Sequence, residues 1–181
     1  MSGLRRRRLV RDLVDGDEVT RWEAAKALSN ASDARTVRTV ERVLQSNGDE
    51  GPRAAAAYVL GFSGVPESAH LLARTLADRN EAVLVRAYAA EALGHLLQYE
   101  TVLVDVRTAI RAGLRDEAAE VRFWSAFAAG VLGLQESRPH LERLAGTDHE
   151  EIDGWWSVAE EARWALRVLD GEEDPPLPER T

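Results

Sequence analysis

A chain of 181 residues with a net charge of −8 and no cysteine can form one domain or a short array, without disulfides or thiolate metal sites. No apolar run approaches the ~18 residues of a membrane span. The acidic balance argues against a broad nucleic-acid surface, which needs net positive charge to grip phosphates. The basic side is almost entirely arginine, with Lys26 the only lysine.

At the N-terminus, Leu4, Leu9, Val10, Leu13 and Val14 fall near helical spacing, so residues 4–14 read as a short amphipathic helix. The four arginines at 5–8 wrap its polar side and read as a solvated terminus. Arg11 and Asp12 interrupt the apolar segment, so it is no signal-peptide core, and a cytoplasmic location is expected. Asp15-Gly16-Asp17-Glu18 then breaks and restarts the chain, with Asp15 and Glu18 at capping-box spacing.

From there a pattern recurs. Residues 20–29 are TRWEAAKALS, 52–61 are PRAAAAYVLG, 85–94 are VRAYAAEALG and 121–130 are VRFWSAFAAG. Their second-place arginines, Arg21, Arg53, Arg86 and Arg122, are separated by 32, 33 and 36 residues. A period of this length marks a stacked repeat protein.

The predicted helices in order are Glu18–Ser29, 33–45, 52–62 and 66–76, then one ending near Leu97 and one spanning about 100–114. They continue with 117–132 and 136–145. Thr147 and Glu150 have capping-box spacing and predict a last helix to about Leu169. Residues 1–170 therefore read as a single domain and 171–181 as a disordered acidic, proline-rich tail. No segment alternates as a strand does. The fold class is all-α, a solenoid of stacked antiparallel helix pairs: about four repeats plus capping helices, ten helices in all. Alanine runs let helices approach closely. Leu28, Leu60, Leu93, Val40, Leu44, Leu72, Leu76 and Leu141 are the expected core, and Trp22, Tyr88 and Trp124 read as packing between repeats.

The motif D-x-x-x-x-V-R-x-x-A-A-x-A-L-G followed by an amphipathic helix resembles the HEAT-like repeats of the phycobilisome-lyase type. Residues 80–94 and 114–122 carry it best, and the resemblance extends over about 15–169. It implies a right-handed solenoid whose amphipathic second helices line the concave face. It also implies that each repeat arginine pairs with an aspartate near its own helix start: Asp17 with Arg21, Asp78 with Arg86, Asp116 with Arg122. Such arrays serve as scaffolds, inhibitors, lyases and DNA glycosylases, so the resemblance specifies the repeat more than the function.

Counting 13 residues on from each closing Gly or Ser gives Arg42, Arg74, Arg107 and Arg143, one per second helix. Arg38, His70 and His140 lie within a turn of them, and Arg111 is the substitute if a one-residue slip turns Arg107 aside. Together they predict a basic ridge able to pair with acidic side chains or phosphates through charge-assisted bonds. Trp155 and Trp156 in the last segment either cap the core or anchor a contact.

Catalytic signals are thin. The four histidines show no metal spacing, the glycines fall at helix ends, and Ser125 has no nucleophile elbow. The sequence therefore predicts a non-enzymatic scaffold, without metal or cofactor, that binds an acidic protein partner through its concave face. Alternatives are a chromophore lyase or other small-ligand enzyme and, last, a nucleic-acid module. No membrane association is expected. Oligomeric state stays open between a monomer and a weak dimer.

Overall fold

The computed structural model describes residues 2–30, 33–173 and 175–179. Among them are ten α-helices: α1 (Gly3–Asp15), α2 (Glu18–Ser29), α3 (Ala34–Leu44), α4 (Glu50–Gly61), α5 (Ala69–Ala77), α6 (Val83–Leu96), α7 (Val104–Gly113), α8 (Ala119–Val131), α9 (Arg138–Thr147) and α10 (Val158–Leu169). Short 3-10 turns, Pro66–Ser68 and Gln135–Ser137, lead into α5 and α9. The two tight turns before them need a left-handed residue, and Gly64 (φ 66°) and Gly133 (φ 64°) supply it at equivalent places.

Local signals start α2 and α3. Asp17 accepts a hydrogen bond from the Thr20 N–H at 2.9 Å, and Asp33 accepts from that of Thr36 at 3.0 Å. All eight core residues expected from sequence are buried. No described helix is long and apolar enough to cross a membrane.

The helices form two layers. The even-numbered helices, which carry the arginine motif in α2, α4, α6 and α8, lie against one another along the stack. The odd-numbered helices are splayed and meet closely only at α5 and α7. Each odd helix packs on the even helix that follows it, so the pairs in space are α1/α2, α3/α4, α5/α6, α7/α8 and α9/α10. The spatial unit is thus shifted one helix from the order in which the motif meets the eye.

Side-chain size accounts for the asymmetry. A Cβ placed on Gly61 would lie 2.8 Å from the Ala92 Cα, and one on Gly130 would lie 2.9 Å from the Ala165 Cα. Backbone meets backbone there, which alanine and glycine alone allow. A stack closer on one layer bends toward that layer. The concave side therefore belongs to the even helices, and the resemblance's assignment of it to the amphipathic helices is corrected.

The arginine ladder also differs from expectation, because it runs forward to the next pair. Arg53 pairs with Glu81, Arg86 with Asp116, and Arg122 with Asp148 at 2.6 Å and Glu150 at 3.3 Å. Arg79 joins Asp116 as well. Arg21 instead donates to the Leu13 and Gly16 carbonyls at 3.1 and 2.8 Å. The acids at the helix starts are engaged locally: Asp17 caps α2, and Asp78 accepts from the Asn80 N–H at 3.0 Å. Asp116 and Arg86 are both buried, so this rung is sealed into the stack.

Candidate functional site

Along the even helices the motif's aromatic residues share one face. Tyr58 on α4 and Phe62, the residue that closes it, lie one turn apart, as Trp124 and Phe127 do on α8. The rings continue from helix to helix. Centroids are 5.6 Å apart for Trp22–Tyr58, 4.9 Å for Tyr58–Phe62 and 4.5 Å for Phe62–His95. The series runs on at 5.0 Å for His95–Phe127 and 6.0 Å for Phe127–Trp164. Tyr88 joins at 5.1 Å from Trp22. Burial, reinforced by Glu91, pushes its phenol up to about 12. Most of these rings are half-buried, and Phe62 is 42% exposed. The concave side thus carries a continuous aromatic belt. Trp22, Tyr88 and Trp124 do pack between helices as expected, but they do so as part of this surface.

At the C-terminal end the belt deepens into a cavity of about 160 Å³ between α6, α8, α10 and the segment 148–157. Trp124, Phe127, Trp155 and Trp164 contribute to its wall, with Glu91 and His95 on one side. Glu161 also lines it. Its Oε2 accepts a 2.7 Å hydrogen bond from the Trp156 indole N–H, and the residue is 2% exposed. Burial pushes its carboxyl up to about 8 against the opposing pull of that hydrogen bond.

The segment feeding this cavity is not the helix start that Thr147 and Glu150 predict. α9 runs through Thr147, and the chain then loops to a capping box at Ser157 and Glu160. Two things override the local signal: Asp148 is held by Arg122, and Ile152 and Trp156 must be buried before the next helix begins. Trp156, 2% exposed, belongs to the core and offers no contact surface, so its reading as an anchor is corrected. Trp155 is half-buried, 5.2 Å from Trp124 and 5.4 Å from Trp156 between ring centroids.

The tail, predicted disordered from its composition, is packed over part of its length. Pro175 is buried, its carbonyl accepts from the Trp164 indole N–H at 3.1 Å, and Leu177 reaches the cavity mouth. Proline's low entropy cost and an aromatic surface explain why a polar-looking segment settles there. Asp174, Arg180 and Thr181 lie outside the described residues.

The predicted ridge residues lie on the odd helices, away from the belt, and divide into separate groups. Arg42 folds back on the Arg38 carbonyl at 3.2 Å and on the Thr39 hydroxyl at 3.2 Å. It lines a groove with Arg6, Arg7, Arg11 and Arg35. His70 sits 2.6 Å from Asp105, whose carboxyl that hydrogen bond holds low, and exposed Arg74 lines the adjoining surface. Arg107 turns aside to Glu136 at 3.0 Å, as the slip in that repeat predicts.

Three arginines gather around His140. Burial first, then Arg115, Arg111 and Arg143, hold its imidazole low. The Arg115 guanidinium lies 3.3 Å from its Nε2, and Arg143 also donates to the Leu114 carbonyl at 3.3 Å. Acidic partners at Asp105 and Glu136 interrupt the row. Ser125 is fully buried against Gly113, out of reach of any substrate. Among the described residues no group of three or more acids and histidines is placed to hold a metal ion.

Sequence reasoning passed over Tyr58, Phe62, His95, Phe127 and Trp164 as a group, and it did not single out Glu161. The signal was available in the one-turn spacing of Tyr58 with Phe62 and of Trp124 with Phe127. The alanines around them draw attention instead.

The model of HEAT repeats matches residues 8–93 and 76–167. Among solved structures, the chain is similar to one from the complex of CpcE and CpcF of phycocyanin lyase from Nostoc sp. PCC7120. The TM-score is 0.71 at 18% identity, over 91% of this chain and 99% of that one. It is also similar to an engineered protein, with TM-score 0.57 and 19% identity, over 93% of this chain and 80% of that one. No curated protein matches the sequence. The two matched spans together take in nearly all of the helical stack, and the chain belongs to the HEAT-repeat family.

Proposed function

We propose that this chain is a non-catalytic HEAT-repeat scaffold that binds a partner protein along its concave face. The observation that supports this most is the aromatic belt on the even helices. Half-buried rings continuous over five helices form a pre-ordered apolar surface, and aromatic residues are the usual anchors of protein contacts. The basic cluster of Arg111, Arg115, His140 and Arg143, and the arginine groove around Arg42, lie on the opposite layer. They are secondary sites for acidic segments of the same partner.

A second reading has its own support. The similar CpcE/CpcF structure is a complex of two chains of a lyase. By analogy this chain would be one member of a two-chain assembly handling a chromophore, and the cavity beside Trp164 would receive it. Capture from source-cell lysate by the parent and by a Tyr58→Ser/Phe62→Glu variant, with a titration of linear tetrapyrroles beside it, separates the two. One protein kept by the parent and lost by the variant supports the scaffold. Saturable tetrapyrrole binding without such a partner overturns it in favour of the second reading.

A further inference from the structure

The cavity between α6, α8 and α10 has a composition that its aromatic walls alone do not explain. Two carboxylates, Glu91 and Glu161, line it in a chain that carries 22 arginines, and no arginine or lysine lines it among the described residues. His95, the basic group present, is 3.8 Å from Glu91 and already shared with it. Glu161 is buried with a single hydrogen bond from Trp156 and no cationic partner among the described residues. Burying a carboxylate without a counter-charge is costly, so cores rarely keep one. Glu161 meets that cost by keeping its proton up to about 8, and a cation seated beside it would favour the carboxylate and draw that proton off.

We propose that this cavity binds an alkylated ammonium group, received by the faces of Trp124, Trp155, Trp164 and Phe127 and charge-balanced by Glu161 and Glu91. A quaternary ammonium fits on three grounds. It has no N–H donors, so an apolar wall leaves none of its groups unsatisfied. Its diffuse charge is attracted to aromatic faces, most strongly to tryptophan. The volume of about 160 Å³ is comparable to the ~150 Å³ cavity that admits benzene, room for a trimethylammonium head. A primary ammonium would need several acceptors that the rings do not offer. An anionic ligand would face two carboxylates and no arginine. A neutral apolar ligand would gain nothing from either carboxyl group.

The site goes beyond the scaffold reading and stands or falls separately from it, because its test needs no partner protein. The probes are tetramethylammonium, choline, a peptide carrying trimethyllysine and 3,3-dimethyl-1-butanol, the neutral carbon counterpart of choline. Each is titrated into the full chain and followed by calorimetry and tryptophan fluorescence.

The expected result is saturable binding of a cation at least roughly tenfold tighter than the neutral counterpart. Glu161→Gln and Trp164→Leu each weaken it by about tenfold or more, while Glu161→Gln melts no lower than the parent. Binding of choline assigns the site to a free small cation, and binding of the peptide alone assigns it to a methylated protein side chain. Equal binding of choline and its neutral counterpart, binding unaffected by Glu161→Gln, or no binding of any of the three cations overturns the proposal.

Discussion

The even and odd layers of this stack solve opposite problems with different residues. The even layer is built from alanine and glycine. It buries little per side chain, and its helices therefore approach until backbones touch at Gly61–Ala92 and Gly130–Ala165. The odd layer is built from leucine and valine, such as Val40, Leu72 and Leu141, which fill the space beneath it. Close approach on one side bends the stack. The same small residues leave larger rings standing proud between them, so the layer whose helices approach most closely also carries the row of half-buried rings. The face is set by which layer packs more tightly, and its chemistry by what the small residues leave uncovered.

The layers differ in how they tolerate change, and the largest effect should come from the ladder that ties one pair to the next. Asp116→Ala leaves Arg86 buried without its counter-charge and should cost about 3–5 kcal/mol in urea unfolding. Asp105→Ala breaks the exposed His70 pair on the odd layer and should cost less than about 1 kcal/mol. Comparable losses for both would dissolve the distinction.

Overpacking comes next. Gly61→Val drives a side chain into the α6 backbone and should destabilise by about 3 kcal/mol. Ring contacts along α4 and α6 should loosen with it, which near-ultraviolet circular dichroism would register.

The third effect depends on pH. Folded Glu161 holds its proton up to about 8, whereas an unfolded glutamate releases it near 4.3. Between those values the folded chain binds a proton that the unfolded chain lacks, so this residue's contribution falls as pH rises. Glu161→Gln removes that slope. It should melt above the parent at pH 9 by an amount worth a few kcal/mol, with the gap closing toward pH 4. A gap that does not change with pH would show that Glu161 titrates normally. The smallest effect belongs to the odd layer: Gly146→Ala in α9, with nothing within 4 Å of the added methyl, should stabilise by about 0.5 kcal/mol in the same assay.

Much of the fold was legible because the repeat writes its packing into composition. The spacing of Arg21, Arg53, Arg86 and Arg122 marks the array, and the leucines at Leu28, Leu60 and Leu93 mark its buried stripe. What could not be read was anything fixed by a neighbouring pair. Asp116 looks like the partner of Arg122 in its own repeat, yet it belongs to Arg86, because a helix-start arginine reaches out of its helix toward the next loop. Thr147 and Glu150 look like a helix start, yet Arg122 and the burial of Trp156 claim that segment. The basic ridge followed a sound count along the chain but placed its residues on the splayed layer, where Asp105 and Glu136 meet them. Glu161 carries no local signal at all, since its burial comes from α8 and the tryptophans of the preceding loop.

The most direct test of the concave assignment compares the two layers within one experiment. The parent, the even-layer variant Tyr58→Ser/Phe62→Glu and the odd-layer variant Arg42→Glu/Arg74→Glu/Arg143→Glu are immobilised in equal amounts. Each is exposed to the same source-cell lysate, with matched melting curves as a folding control. The account predicts a partner held by the parent and by the odd-layer variant and lost from the even-layer variant. A partner lost from the arginine variant and kept by the aromatic one would contradict it and return the binding face to the odd helices.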